Sequence, residues 1–382
     1  MFNHLIQFVR DWFQTGAFIP LHEPRFYETD RQYVMDAIDS TFVSSVGAYV
    51  DRFETQLAAS MGIEYAIATV NGTAALQVAL QLAGAGPDTE VITQPMTFVA
   101  TANAIVYNGA RPVFIDIEEQ TLGMSPEALN QFLDQYGQKT AKGIWNRETG
   151  NRIAAILPMH TFGHPCRMDE ILDVADAWGI PVVEDAAEAI GSRYSEEFCG
   201  TKGLLGVLSF NGNKTITCGG GGAIITADET MAKQAKHLTT TAKTAHAWEF
   251  NHDAVGYNYR MPNLNAALAC AQLERLEEIV TEKRALARAY QGFFSQREWG
   301  VFVEEPEKCQ SNYWLNAVLL PDLEKRNEFL KITNDNGVMT RPAWTLMTDL
   351  PMYRECLSDS CRTARAMVER IVNLPSSTRK HV

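Results

Sequence analysis

The segment SFNGNKTITCGGGG, residues 209–222, joins two short apolar runs and places Lys214 close to four consecutive glycines. The runs at residues 204–210 and 223–226 are rich in apolar and β-branched side chains, which predicts two strands. The glycines let the backbone fold tightly, and Ser209 with nearby backbone N–H groups can bind phosphate oxygens. A lysine in this setting can serve as a nucleophilic amine that forms an imine. The same sequence is also compatible with a surface lysine beside a glycine turn.

Outward from this segment, strand and helix patterns alternate between about residues 30 and 227. Strands are predicted at residues 90–94, 112–117, 153–157 and 181–184, and helices at 31–40, 73–85, 125–136 and 168–178. Several of the strand patterns are apolar throughout, as in strands covered on both faces. The alternation predicts an α/β fold with a mixed, mostly parallel sheet.

The pattern changes after residue 262. One long helix is predicted at residues 263–295, followed by a strand at 313–320, a helix at 322–334, a short strand at 338–341 and a helix at 362–372. A chain of 382 residues suits two domains. We therefore predict a large α/β domain over residues 1–261, including an amphipathic N-terminal helix, and a smaller α+β domain over residues 262–382.

Composition excludes several classes of protein. The 33 basic and 46 acidic residues give a formal charge of −13, which disfavours binding to nucleic acid. No apolar run reaches the ~18 residues of a membrane span, and the N-terminus lacks the layout of a signal peptide. The seven cysteines are scattered without a CxxC pair, so neither a disulfide framework nor a metal site is indicated. We expect a cytoplasmic protein.

An acidic side chain follows the predicted strand at residues 181–184. Asp185 lies in the segment EDAAEA, residues 184–189, at the carboxyl end of that strand. Ligand sites in α/β sheets lie at such ends. A carboxylate there can keep a pyridine nitrogen protonated, so that the ring accepts electrons. Alternatively, Asp185 is only a helix N-cap.

Two further segments fit a site for a phosphorylated aromatic ligand. Residues 71–76, NGTAAL, link a strand-like run to a helix, and Gly72 and Thr73 fall where helix N-termini bind phosphate. In residues 94–101, QPMTFVAT, Phe98 follows a predicted strand and can stack on a ring. Each segment alone is a weak signal, because any strand-to-helix turn or core aromatic looks similar.

In this order and at these distances, the four segments resemble the sugar aminotransferases of the DegT/DnrJ/EryC1/StrS family. The resemblance extends over about residues 19–377. It implies a pyridoxal-phosphate enzyme of fold type I, similar to aspartate aminotransferase. By this resemblance, Lys214 would carry the cofactor as a Schiff base and shuttle the proton during transfer, and Asp185 would pair with the pyridinium nitrogen. The remaining implied cofactor contacts are the phosphate-binding group Gly72, Thr73, Ala74 and Ser209, and Phe98 stacked on the ring.

The resemblance implies roles for three more residues. Glu188 falls where family members place a polar side chain near the phenolic oxygen of the cofactor, and a carboxylate there is less usual. His160 matches a His-x-x-Gly segment that lines the site, which makes it a candidate catalytic residue, although a lone histidine is more often structural. Asn258 matches an asparagine that reaches the phosphate across a dimer interface. The resemblance therefore implies a homodimer with shared active sites.

Within the family, residues 19–24, 219–222 and 239–243 look most similar to a branch that aminates C4 of nucleotide-linked 2-acetamido-2,6-dideoxy-hexuloses, on the way to legionaminic-acid-like or bacillosamine-type sugars. L-Glutamate is the expected donor, and Arg341 and Trp344 are candidate contacts for the sugar nucleotide. The alternatives are an aminotransferase of the GDP-perosamine synthase type, a sugar dehydratase and a non-catalytic regulator. Dehydratases typically replace the lysine by histidine, so Lys214 disfavours that class.

Overall fold

The computed structural model describes residues 2–379 and shows an α/β fold in which helices cover mixed β-sheets, as the sequence predicts. The helices are α1 (Asn3–Phe13), α2 (Glu28–Asp39), α3 (Ala48–Met61), α4 (Gly72–Leu82), α5 (Val99–Tyr107), α6 (Pro126–Tyr136), α7 (Met168–Trp178), α8 (Glu229–Thr239), α9 (Asn263–Leu273), α10 (Leu276–Phe294), α11 (Leu323–Asp335) and α12 (Arg362–Val368).

The strands are β1 (Tyr65–Thr69), β2 (Thr89–Thr93), β3 (Arg111–Phe114), β4 (Gly137–Thr140), β5 (Gly143–Asn146), β6 (Arg152–Leu157), β7 (Val183–Asp185), β8 (Arg193–Tyr194), β9 (Glu197–Phe198), β10 (Leu205–Ser209), β11 (Gly222–Thr226), β12 (Val301–Phe302), β13 (Cys309–Gln310), β14 (Asn316–Leu319), β15 (Arg341–Pro342) and β16 (Ile371–Leu374). Strands β2, β10 and β11 are buried along their whole length, which explains the mostly apolar character of β10 and β11.

The central sheet is built from two sets of strands. One has the order β1-β11-β10-β7 and the other β3-β2-β6-β5-β4. Isolated parallel bridges, Ile156 with Val182 and Met159 with Asp185, connect the two sets. Because β11 is antiparallel to both β1 and β10, while β7 is parallel to β10, the carboxyl ends of β1, β10 and β7 lie at one edge of the sheet.

Local sequence explains where the helices beside this edge begin. The side chain of Asn71 accepts a hydrogen bond from the N–H of Ala74 at 2.8 Å and caps α4. Ser125 caps α6 in the same way, with Pro126 in the first turn, where its fixed φ suits a helix start. The N-terminus of α4 is thereby fixed beside the ends of β1 and β10.

Two helices of the C-terminal part differ from the prediction. The long helix expected at residues 263–295 is broken into α9 and α10, because Arg275 leaves helical geometry at φ −109° and ψ 6°. Its guanidinium lies 3.1 Å from the ring centroid of Tyr27 and bonds Glu278. The helix expected at residues 362–372 ends at Val368, and the apolar residues after it form β16.

A second sheet, with the order β12-β14-β16-β15, forms the centre of the C-terminal part. Helix α1 packs on this part, since Leu5, Ile6 and Val9 share one apolar cluster with side chains of α10, α11 and β16. Helix α9 instead packs against α2 and α3. The division at residues 261 and 262, with α1 assigned to the large domain, remains a prediction. Within residues 2–379, no helix is both long and apolar enough to cross a membrane.

Candidate active site

The carboxyl edge of the central sheet gathers three of the segments identified in the sequence. Gly222, the first residue of β11, pairs with both Thr69 and Ser209, and Asp185 ends the neighbouring strand β7. The loop between β10 and β11 carries Lys214 over this edge. Three regions far apart in the chain therefore meet where parallel strands end, which is the usual place for ligand sites.

The amine of Lys214 lies between a carboxylate and an aromatic face. Its Nζ is 3.3 Å from Oε1 of Glu188 and 4.1 Å from the ring centroid of Trp314. The side chain is mostly buried, whereas a surface lysine would extend into water. The geometry therefore disfavours the alternative of a surface lysine beside a glycine turn.

Asp185 is buried and held by neighbours on both carboxylate oxygens. The hydroxyl of Thr101 donates to Oδ2 at 2.7 Å, and the N–H of Ala187 donates to Oδ1 at 3.2 Å. Burial raises the pKa of Asp185, and these hydrogen bonds together with the charge of Lys214 partly oppose that rise. A carboxylate whose pKa is raised by burial is stabilised in its ionised form by a cationic partner, such as a protonated ring nitrogen.

Glu188 is the second buried carboxylate of the site. Besides its contact with Lys214, it accepts the backbone N–H of Phe162 at its Oε2, at 2.9 Å. Burial raises the pKa of Glu188 to about 7, against the attraction of Lys214. Phe162 has a φ of 57°, a strained value for an aromatic residue, and this conformation accompanies the amide contact with Glu188.

The start of α4 and the end of β10 form a narrow cradle. A Cβ added to Gly72 would lie 2.9 Å from Cβ of Ser209, and one added to Gly222 would lie 2.5 Å from the carbonyl carbon of Asn71. Only glycine permits this close approach. Gly72 and Thr73 begin the helix, where N–H groups lack partners within the helix, whereas the N–H of Ala74 bonds the Asn71 cap.

His160 is fully buried beside Asp185, and both of its ring nitrogens have protein partners. Its Nδ1 accepts the N–H of Cys166 at 3.0 Å, so the proton resides on Nε2, which donates to Glu184 at 3.0 Å. Its backbone N–H donates to the carbonyl of Asp185. The main chain of His160 thus bonds the strand that carries Asp185, whereas its imidazole bonds Glu184.

The predicted aromatic contacts Phe98 and Trp344 lie near each other, whereas Arg341, the predicted cationic contact, lies at the edge of the second sheet. The Phe98 side chain is 49% exposed, and its ring centroid is 6.5 Å from that of Trp344, which also contacts Phe162 at 5.0 Å. These aromatic rings connect to the site through the Phe162 amide on Glu188. Arg341 is exposed on β15, and its backbone pairs with Asn373.

Asn258 lies in an exposed segment, away from the buried cluster. It pairs with Thr240 at the base of residues 241–258, in which Lys243 pairs with His252. This segment presents Trp248, Phe250 and Val255 to solvent. Exposed apolar side chains of this size are typical of surfaces that another protein covers.

Sequence reasoning missed two residues of the site. Thr101, which bonds Asp185, lies in the quoted segment at residues 94–101, three positions after Phe98, so the helical spacing of α5 could have pointed to it. Trp314, which contacts Lys214, belongs to the C-terminal part and precedes β14. No local signal in the sequence relates a tryptophan 100 positions away to this lysine.

The residues present fit pyridoxal phosphate. A phosphate matches the cradle at Gly72, Thr73 and Ser209, which a single added Cβ would fill. The buried carboxylate of Asp185 suits a protonated ring nitrogen, and Lys214 supplies an amine for covalent attachment. These groups converge on one edge of the sheet.

Comparison with known proteins gives the same result. The family model described as "DegT/DnrJ/EryC1/StrS aminotransferase family" matches residues 24–380. The GDP-perosamine synthase of Escherichia coli O157:H7 is 34% identical over 360 residues, which cover 94% of this chain and 93% of that protein. The putative pyridoxal phosphate-dependent aminotransferase EpsN of Bacillus subtilis (strain 168) is 33% identical over 364 residues, covering 94% of this chain and 91% of EpsN.

Among solved structures, the aminotransferase TlmJ from Streptoalloteichus hindustanus superimposes with a TM-score of 0.85 at 26% identity, and the match covers 94% of each chain. The predicted fold of a pyridoxal-phosphate aminotransferase and the predicted cofactor are confirmed. The chain belongs to the DegT/DnrJ/EryC1/StrS family of pyridoxal-phosphate-dependent sugar aminotransferases.

Proposed function

We propose that this enzyme binds pyridoxal phosphate covalently at Lys214 and transfers an amino group from L-glutamate to C4 of a nucleotide-linked 4-keto-6-deoxy sugar. The observation that carries the proposal is the position of the Lys214 amine, 3.3 Å from the buried carboxylate of Glu188 and over the sheet edge where Asp185 ends β7. A transfer from donor to acceptor through one enzyme-bound amine follows a ping-pong course.

The cofactor supplies an electron sink that stabilises negative charge on the substrate carbon next to the transferred nitrogen. Asp185 makes that sink effective by keeping the ring nitrogen protonated. The hydrogen bonds from Thr101 and Ala187 fix the direction of its carboxylate. Gly72, Thr73 and Ser209 bind the phosphate through the helix N-terminus and a hydroxyl.

Lys214 would move the proton between substrate atoms, because the amine released from the cofactor is a base beside the substrate. Glu188 accepts a hydrogen bond from Lys214, and its pKa of about 7 lets it take up or release a proton near neutral pH. His160 acts through position: its main chain bonds Asp185 and its ring bonds Glu184. Phe98 would stack on the ring of the cofactor.

The enzyme works as a homodimer with shared sites. Support comes from the exposed segment at residues 241–258, whose apolar side chains need a covering surface, and from Asn258 at its base. Asn258 would contact the cofactor phosphate of the partner subunit's site. A cytoplasmic location remains a prediction from the sequence.

For the acceptor, we favour a 2-acetamido-2,6-dideoxy-hexos-4-ulose linked to UDP or GDP, the substrate type of the legionaminic-acid and bacillosamine branch. Sequence similarity at residues 19–24, 219–222 and 239–243 supports this choice. The partly buried ring of Trp344 offers a face for the sugar or base, and the exposed Arg341 offers charge for the diphosphate. In a protein of net charge −13, an anionic substrate requires such a local cation.

A second candidate is the reaction of a GDP-perosamine synthase, in which the acceptor has a 2-hydroxyl group instead. The relative from Escherichia coli O157:H7 favours it, being 34% identical over nearly the whole chain. The two candidates share the cofactor, the donor and the carbon that is aminated, and differ at C2 of the sugar.

One experiment separates them. The enzyme is incubated with L-glutamate and each of four acceptors, the 2-acetamido and 2-hydroxy 4-keto sugars on UDP and on GDP, and products are identified by mass spectrometry. A site that hydrogen-bonds the acetamido group loses ~1–3 kcal/mol for each buried polar group left unpaired. We expect a kcat/KM preference of roughly 10-fold to 100-fold for the 2-acetamido sugar. Equal or better use of the 2-hydroxy sugar assigns the enzyme to the second candidate.

A further inference from the structure

Trp314 has all three of its polar groups engaged, so its indole is held in one position. Its backbone N–H donates to Oδ1 of Asn312 at 2.7 Å, and its indole Nε1–H donates to the carbonyl of Asn213 at 2.7 Å. Its carbonyl accepts from the buried amine of Lys283 at 3.2 Å. Two of these bonds fix the main chain of Trp314 and the third fixes the direction of its indole, which distinguishes it from a side chain that only fills space.

The hydrogen bond to Asn213 connects Trp314 to the loop that carries Lys214. Asn312 strengthens this connection, because its amide donates to the hydroxyl of Thr215 at 3.2 Å and to the carbonyl of Glu188 at 2.9 Å. The same short stretch before β14 thus bonds the residues on both sides of Lys214 and the main chain of Glu188. Movement of the C-terminal part would change the setting of the reactive amine.

The face of the indole is directed at the charge it stabilises. The Nζ of Lys214 is 4.1 Å from the ring centroid, within the range of a cation–π interaction, and the Glu188 carboxylate contacts the same amine at 3.3 Å. Both partners are largely buried, so water screens this interaction little. Tryptophan binds a cation more strongly than the other aromatic residues do.

We propose that Trp314 is a positioning residue that, together with Glu188, holds Lys214 as an ammonium once this amine has left the cofactor and taken up a proton. The inference deepens the proposed function and rests on the role of Lys214 in it. During each transfer cycle the lysine must leave the cofactor and return. The released amine takes up the substrate proton as a neutral base, and the indole face and the carboxylate then stabilise the resulting ammonium.

The test measures the charge state of Lys214 in the full-length enzyme loaded with pyridoxamine 5′-phosphate, which leaves the lysine amine free. Acetylation of Lys214 by acetic anhydride is followed by peptide mass spectrometry from pH 6 to 11, with the exposed Lys233 as internal reference. Wild type is compared with Trp314→Phe and Trp314→Leu. Loss of the ring should lower the midpoint of the labelling curve by roughly 0.4–1.5 pH units, and labelling near pH 8 should rise about 3-fold to 30-fold.

The shape of the curve separates positioning of charge from packing. If Trp314 only fills space, its removal raises the plateau at high pH without moving the midpoint, and that result overturns the inference. Trp314→Phe keeps an aromatic face in case the leucine variant does not fold, and should shift the midpoint less than leucine does. The proposed function is tested separately by borohydride reduction of the wild-type enzyme loaded with pyridoxal phosphate. Failure to form an adduct at Lys214 overturns that function, while the labelling curves still decide the role of Trp314.

Discussion

The neighbourhood of Lys214 and the segment at residues 241–258 are built in opposite ways. Around Lys214, the carboxylates of Asp185 and Glu188 are buried and hydrogen-bonded within one chain. In the other segment, Trp248, Phe250 and Val255 are 78%, 79% and 85% exposed. The difference teaches that a single chain preorganises the buried groups around Lys214, whereas the apolar side chains of residues 241–258 are left uncovered by their own chain.

The buried region contains the groups that we propose for the chemistry, so its substitution should have the largest effect. Lys214→Ala should reduce turnover to below ~0.1% of the wild-type rate, because no other amine replaces the nucleophile. Turnover is measured by product formation from the preferred keto-sugar. The control is Lys233→Ala on α8, an exposed lysine paired with Glu229, which should retain full activity. Substantial turnover by Lys214→Ala would remove this lysine from the mechanism.

The next largest effect distinguishes a catalytic carboxylate from a helix cap. Asp185→Asn should retain much of the cofactor affinity but lower kcat roughly 100-fold or more, because an amide cannot hold the proton on the ring nitrogen. Asp228 is the matched control, since it caps α8 by accepting from the N–H groups of Thr230 and Met231. Asp228→Asn should change little, because asparagine caps a helix as well as aspartate does. Near-normal kinetics in Asp185→Asn would reduce this residue to a cap.

The exposed region is tested by mixing two defective subunits. Lys214→Ala and Asn258→Ala enzymes should each be weak, and subunit exchange between them should restore one intact site per heterodimer. Random exchange of equal amounts makes half of the dimers mixed, so activity should recover to about a quarter of the wild-type value. Subunit exchange is verified by native mass spectrometry. Verified exchange without recovery would show that Asn258 serves its own chain.

The smallest expected effect concerns the pH dependence of stability. Burial raises the pKa of Glu188 from 4.5 to about 7, so the folded protein keeps a proton that the unfolded chain releases in this window. The contribution of Glu188 to stability is therefore present below pH 4.5 and lost as the pH rises through 7. Between pH 5 and pH 8, the free energy of unfolding should fall by ~1–3 kcal/mol less in Glu188→Gln than in wild type. Urea denaturation at each pH measures this difference.

Glu127 provides the matched control for this pH effect. Bonds from its own backbone N–H, Arg167 and Ser125 lower the pKa of Glu127, and its side chain is more than half exposed. Glu127→Gln should therefore produce a small change of the opposite sign. Identical pH profiles for wild type and Glu188→Gln would show that Glu188 does not hold a proton in the folded enzyme.

The sequence predicted the elements whose signals are local. Residues 168–178 were predicted as a helix, and α7 spans Met168–Trp178. The strand ends at Asp185 and Ser209 were also predicted close to their positions, because uninterrupted apolar runs mark strands buried on both faces. The break between α9 and α10 was missed, because Glu274 and Arg275 are good helix formers and only the contact of Arg275 with Tyr27 distinguishes this site.

The residues of the candidate site likewise divide into those with a local sequence signal and those placed by contacts between distant parts of the chain. Lys214 and Asp185 could be proposed from motifs, since each follows a strand in a distinctive segment. Trp314 could not, because its role arises from a contact over 100 positions in the chain, whereas the helical spacing of α5 could have pointed to Thr101. Burial is the main cause that raises the pKa of Glu188 to about 7, and no spacing of residues in a sequence reports how deeply a carboxylate is buried.

The most direct test of the central claim is to locate the covalent link between enzyme and cofactor. The purified wild-type enzyme is loaded with pyridoxal phosphate, reduced with borohydride, digested and analysed by mass spectrometry. The account predicts one phosphopyridoxyl group per chain, on the peptide that contains Lys214, with loss of the visible absorbance. An adduct on another lysine, or no adduct at all, would contradict it.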